Sequence, residues 1–183
     1  MRIQGSSHGG RRGVSFGKTR AGRSVKHQLK SYWATLFQPM LQRPKRVQLA
    51  ALCHRSGPDG PEVLLVTSRD TGRWIIPKGW PIPGKDSAGA ALQEAWEEGG
   101  VSDAVALTDP IGSYTYDKGL RGGNSVAVET FVYAAEVVAL SDTYPEAHQR
   151  RRAWMSPEAA ADCVDEPELK AILRAFGMAQ RLS

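Results

Sequence analysis

Glu94, Glu97 and Glu98 are the residues of this chain whose type and spacing best suit chemistry. On a helix turning about 100° per residue, positions i, i+3 and i+4 share one face. Carboxylates placed this way repel one another. At the C-terminal end of a helix they also oppose the negative end of its dipole, each effect costing a few tenths to about 1 kcal/mol. No Lys or Arg lies between Asp86 and Val101 to relieve the repulsion. A divalent cation would relieve it: Mg²⁺ prefers hard oxygen ligands, keeps several waters and usually arrives with substrate phosphates. Taken alone, the three glutamates also fit an ordinary solvated helix face.

The element that must position them is legible in DSAGAALQEAWEEGGV, residues 86–101. Ala88, Ala91, Leu92 and Ala95 recur at i, i+3, i+4 and i+7, which predicts one buried stripe about a third of a turn from the glutamates. Asp86 or Ser87 can cap the start, and Gly99-Gly100 supplies the left-handed residue that ends the helix. The preceding PKGWPIPGKD, residues 77–86, carries two glycines and three prolines and is expected to be neither helix nor strand.

Around this unit, β-rich runs at 46–53 and 62–69 flank the turn-forming SGPDGP and predict a hairpin or neighbouring strands. Further strands are expected near 73–76, at 111–116, at 125–137 and at 150–155. A C-terminal helix follows from Asp165 as cap, Pro167 in the first turn, and Leu169, Ile172, Leu173 and Phe176 at helical spacing. Strands and helices mix without regular βαβ alternation, so the fold class is α+β with helices packed on a mixed sheet.

Composition sets the frame. The chain has 183 residues, 41% hydrophobic and 23% charged, ordinary for one soluble domain with a tail. No apolar run approaches the roughly 20 residues a membrane helix needs, and the expected location is cytoplasmic. Cys53 and Cys163 suggest neither a disulfide framework nor a zinc site. Residues 1–45 hold ten Lys and Arg and no acid, so the net charge of +5 conceals a +10 tail and a remainder of −5. We expect residues 1–44 to form a basic, largely disordered extension to a domain spanning 45–183, with a short amphipathic helix over 27–41. The tail offers at most weak attraction to RNA or acidic lipids, and its Arg- and Ser-containing, acid-poor start also resembles an organellar transit peptide. The oligomeric state is left open.

As one string, residues 79–101 resemble the signature of the Nudix hydrolases, G-x5-E-x7-R-E-U-x-E-E-x-G-U, where U is aliphatic. Gly79, Glu94, Ala95, Glu97, Glu98, Gly100 and Val101 match at every spacing. Lys85 stands where the family usually has Glu, and Gln93 where it usually has Arg, which removes an ion pair that would brace loop against helix. The flanks, including Pro77-Lys78-Gly79, Ser68-Arg69 and the run at 151–154, look like the branch that hydrolyses diphosphoinositol polyphosphates and diadenosine polyphosphates.

The resemblance implies a mixed sheet sandwiched between helices (α/β/α) and a magnesium-dependent pyrophosphohydrolase, with Mn²⁺ able to replace Mg²⁺. It implies Glu94, Glu98 and the Lys78 carbonyl as metal ligands, and Glu97 or another motif glutamate such as Glu94 as general base. Arg46, Ser68, Arg69, Arg73, Lys78 and Arg152 become candidates for binding a phosphorylated small-molecule substrate. The competing expectation is a catalytically idle Nudix-fold module that binds nucleotides or RNA.

Overall fold

The computed structural model describes residues 46–119 and 125–182, all within one compact unit. The basic extension and the helix expected over 27–41 lie outside the described residues.

Eight strands form one mixed sheet. Strand β1 (Arg46–Gly57) turns through Pro58-Asp59 into β2 (Gly60–Thr67), the hairpin expected from SGPDGP. β2 pairs on with β3 (Trp74–Ile75) and with β8 (Arg152–Met155). β1 also runs parallel to β7 (Ser125–Leu140) over nine residue pairs, Arg46↔Val128 to His54↔Glu136. Along its other edge β7 pairs with β6 (Gly112–Gly119) and then β5 (Val101–Ala106). The remaining strand, β4 (Lys78–Gly79), pairs with Leu49 and Ala50 of β1. Two residues of a loop expected to be irregular are thus fixed to the centre of the sheet.

The core lies on both faces of β1, whose successive side chains point to opposite sides. Leu49, Ala51 and Cys53 pack with Ala90, Ala91 and Ala95 of helix α1 (Ser87–Gly99). Ala50 and Leu52 pack on the other side with Ala160 and Ala161 of α2 (Pro157–Cys163) and with Leu169, Leu173 and Phe176 of α3 (Pro167–Leu182). This is the expected three-layer α/β/α sandwich. The predicted stripe of α1 holds at Ala91 and Ala95, while Ala88 and Leu92 are half-buried at its edge and Ala90 joins the core. Besides β4, two elements were not expected, β5 and the seven-residue α2. Among the described residues no helix is long and apolar enough to cross a membrane.

Candidate active site

Helix α1 starts and stops where its sequence dictates. Asp86 caps it, Oδ1 accepting from the Gly89 N–H at 2.7 Å, and Gly100 ends it at φ 73°, its N–H donating to the Ala95 and Trp96 carbonyls. A side chain at Gly100 would be strained there and would also meet Ser141 and Tyr144. Gly79 is needed for a different reason. A Cβ on it would run into the carboxylate of Glu94, so glycine is what leaves that carboxylate in its place beside β4.

These contacts form a cleft of about 1020 Å³. Of the residues expected from sequence, it brings together Ser68, Arg69, Arg73, Lys78, Gly79, Glu94, Glu97 and Glu98. Arg46, exposed at the start of β1, does not line it. Nor does Arg152, whose Nη1 donates to the carbonyls of Gly99 (2.9 Å) and Ser141 (2.7 Å) while Nη2 pairs with Asp142 at 2.5 Å. It braces the end of α1 rather than facing a substrate. Of the arginines at 150–152, the one that lines the cleft is Arg150, which precedes β8.

Arg150 is a hub that the sequence reading missed. Its buried guanidinium pairs with Glu98 Oε1, with Glu146 Oε2 at 2.5 Å, and donates to the Thr67 carbonyl at 2.8 Å. Glu146 was missed too. The loop carrying it docks on the last turn of α1, where the Glu146 N–H donates to the Glu97 carbonyl at 3.0 Å, and Glu146 Oε1 accepts from Arg69 at 2.9 Å. A second unexpected acid, Glu166, lies just before α3 and holds Arg73 at 2.7 Å. The i, i+4 spacing of Glu146 and Arg150 was the available signal.

The glutamates of α1 differ in environment. Glu98 is buried, and its Oε2 accepts from the Lys78 N–H at 3.0 Å, tying β4 to α1. Burial raises its carboxyl above the ordinary range, opposed by Arg150 and the Lys78 N–H. Glu94 is pushed up to about 7, first by burial and then by the charges of Glu98, Glu97 and Glu146. Burial also brings the Lys78 ammonium down to about 8; its Nζ lies 5.5 Å from the centre of the Tyr116 ring. Glu97 Oε1 accepts from Gln93 Nε2 at 2.7 Å, and Gln93 Oε1 accepts from Lys85 Nζ at 2.8 Å. The two departures from the motif therefore still join loop to helix, through one neutral amide in place of an ion pair. Ser68 is engaged within its own turn, its Oγ 2.6 Å from Thr71 Oγ1.

The donor set suits a divalent cation, because three carboxylates on one helix face offer hard oxygens, and Glu94 is raised first by burial and then by the charges of its acidic neighbours. As they stand, no three His, Cys, Asp or Glu among the described residues are arranged to hold one. Arg150 supplies the positive charge beside Glu98.

Comparisons with known proteins bear on the family and the fold. Human diphosphoinositol polyphosphate phosphohydrolase 3-beta is 30% identical over 113 residues, covering 61% of this chain and 64% of that protein. The human 3-alpha protein matches to the same extent, so the chain spans just under two thirds of these curated relatives. Among solved structures, a C. elegans Ap4A hydrolase aligns with TM-score 0.52 at 22% identity, over 73% of this chain and 97% of its own. A NUDIX hydrolase from Nitrosomonas europaea aligns with TM-score 0.54 at 22% identity, over 74% and 90%. At these identities the structural likeness speaks to the fold. A family model described as the NUDIX domain matches residues 46–176, and the chain belongs to the Nudix family.

Proposed function

We propose that this chain is a magnesium-dependent pyrophosphohydrolase that cleaves a phosphoanhydride bond in a diphosphoinositol polyphosphate or dinucleoside polyphosphate type of substrate. The observation that carries the reading is the convergence of the glutamates Glu94, Glu97, Glu98 and Glu146 on one cleft that Arg69, Arg73 and Lys78 also line. Such a cleft joins hard oxygen ligands to cations suited to phosphate.

Phosphoanhydrides resist attack because their oxygens are negatively charged, so catalysis must neutralise charge and position water. Glu94 and Glu98, with the Lys78 carbonyl, would hold Mg²⁺, which supplies positive charge on the phosphate oxygens and on water. Arg69 and Arg73, set in the cleft by Glu146 and Glu166, hold the phosphates, and Lys78 adds a third cation. Ser68 fixes the turn between the two arginines, since its oxygens accept from the Thr71 and Gly72 N–H groups at 3.2 and 3.0 Å. The Glu97 carboxylate takes the proton of the attacking water as the water oxygen bonds to phosphorus and the bridging P–O bond breaks. Before metal enters, Arg150 must release Glu98, which leaves its guanidinium available to the substrate's negative charge.

One observation favours the second reading, a catalytically idle nucleotide- or RNA-binding module: the ion pair of Arg150 with Glu98 occupies a carboxylate that a metal would need. Phosphate release decides between them. With Mg²⁺ and a panel of diadenosine polyphosphates and diphosphoinositol polyphosphates, we expect turnover by the wild type and a loss of about 100-fold or more in Glu98→Gln. Equal rates in the two proteins would overturn the metal assignment, and no turnover on any substrate would favour the binding module.

A further inference from the structure

We propose that Lys85 and Gln93 form a positioning relay for Glu97, so that the loop preceding α1 sets the direction of the carboxylate that takes the proton from water. The inference rests on the role proposed for Glu97 above.

A primary amide carries an acceptor at one end and two donors at the other, and a free glutamine can present either. Gln93 is held in one sense. Lys85 Nζ donates to its Oε1 at 2.8 Å, and its Nε2 donates to Glu97 Oε1 at 2.7 Å. The ammonium polarises the amide and strengthens the donor that faces Glu97, as in any chain of hydrogen bonds. One oxygen of Glu97 is thereby engaged along the helix, and the carboxylate is held within the cleft it lines.

The lysine end of the relay is itself fixed. The Lys85 N–H closes a turn onto the Ile82 carbonyl at 3.1 Å, and its neighbour Asp86 is the cap of α1. Turn, cap and carboxylate are thus joined within one short segment. In the family pattern these two positions carry Glu and Arg, an ion pair that places the positive charge on the helix. Here the charge stays on the loop and reaches Glu97 through a neutral group. That arrangement orients the carboxylate without neutralising it by direct contact.

A brace that merely holds loop to helix makes a different prediction from a relay. Gln93→Glu keeps, as an ion pair, the contact with Lys85 and abolishes the donor to Glu97. We expect its kcat to fall about tenfold or more, with KM within about twofold, and the melting temperature to change by no more than about 2 °C, because the exposed pair with Lys85 offsets the i, i+4 repulsion from Glu97. Lys85→Met should lower kcat in the same sense by a smaller factor. The double variant Lys85→Glu/Gln93→Arg restores a donor to Glu97 and should recover kcat to within about threefold of wild type. In the unliganded protein, NMR should show the Gln93 side-chain amide protons exchanging more slowly in wild type than in Lys85→Met or Glu97→Gln.

A Gln93→Glu protein that stays folded and keeps half or more of wild-type kcat overturns the relay. So do equal amide exchange in wild type and Lys85→Met, and a folded double variant that fails to recover. Absence of turnover in the wild type itself would instead overturn the proposed function, and the amide exchange would still judge the relay.

Discussion

Replacing Arg150 by Met removes the one guanidinium that joins Glu98, Glu146 and the end of β2, and the cost follows from what each partner loses. Glu98, whose side chain is 8% exposed, keeps only the Lys78 N–H. Glu146 keeps Arg69 and partial contact with water, and the Thr67 carbonyl loses its side-chain donor. Leaving one partner of a buried pair uncompensated costs about 3–5 kcal/mol. Glu98 can escape part of this by taking a proton, because burial already raises its carboxyl. We therefore expect a loss of about 3 kcal/mol at neutral pH, or a melting temperature lowered by roughly 10 °C for a domain of this size. Urea denaturation of wild type and Arg150→Met without metal measures the difference. The sign of its pH dependence is fixed as well. With Arg150 gone, the folded-state carboxyl of Glu98 rises further above its unfolded value, so the variant loses stability as pH rises between those two values and regains it as pH falls. The gap between the proteins should narrow on acidification, and Mg²⁺ should narrow it further if a cation takes the place of the guanidinium. A deficit below about 1 kcal/mol, or one unchanged between neutral and mildly acidic pH, would refute the electrostatic account.

Three further outcomes follow from the same contacts. At subsaturating Mg²⁺, turnover should rise with pH through about 7, because Glu94 must ionise before it can ligate, and the midpoint should move down as Mg²⁺ increases; a flat profile there would remove Glu94 from the ligand set. Gly79→Ala puts a methyl group into the Glu94 carboxylate, so kcat should fall by about 100-fold while the sheet persists by circular dichroism. Arg152→Met should cost about 1–3 kcal/mol of stability through the unpaired carbonyls of Gly99 and Ser141, yet leave KM within about twofold, whereas Arg69→Met should raise KM.

What could be read from sequence was local. Gly79 and the three glutamates lie on one continuous segment, so their geometry follows from helical spacing and one tight approach. Likewise β1, β2, β7 and α3 announce themselves by apolar runs or by period. β5 did not, because its burial is one-sided and interrupted, with Ser102 and Asp103 polar and Val105 exposed. α2 is only seven residues long, although Ser156 as cap and Pro157 in its first turn were visible signals. Glu146, Arg150 and Glu166 reach the cleft from segments far along the chain, and nothing in their own neighbourhoods says what they will face. The choice of Arg152 over Arg150 failed for the same reason: in a run of three arginines, only the start of β8 decides which one enters the cleft and which one meets the end of α1.

The parallel pairing of β1 with β7 has a kinetic consequence. Its partners are separated by about 80 residues of chain, and closing a loop of that length costs about 4 kcal/mol of entropy before any contact rewards it. Helix α1 lies within that loop and packs against both strands, through Leu49 and Ala51 on one side and Tyr133 and Ala135 on the other. The segment that reads most plainly in the sequence therefore rests on a sheet that is completed late. A growing chain that has made the whole motif still lacks the strand that joins β1 to β5 and β6 until β7 has been synthesised, and refolding should be limited by that encounter rather than by the helix.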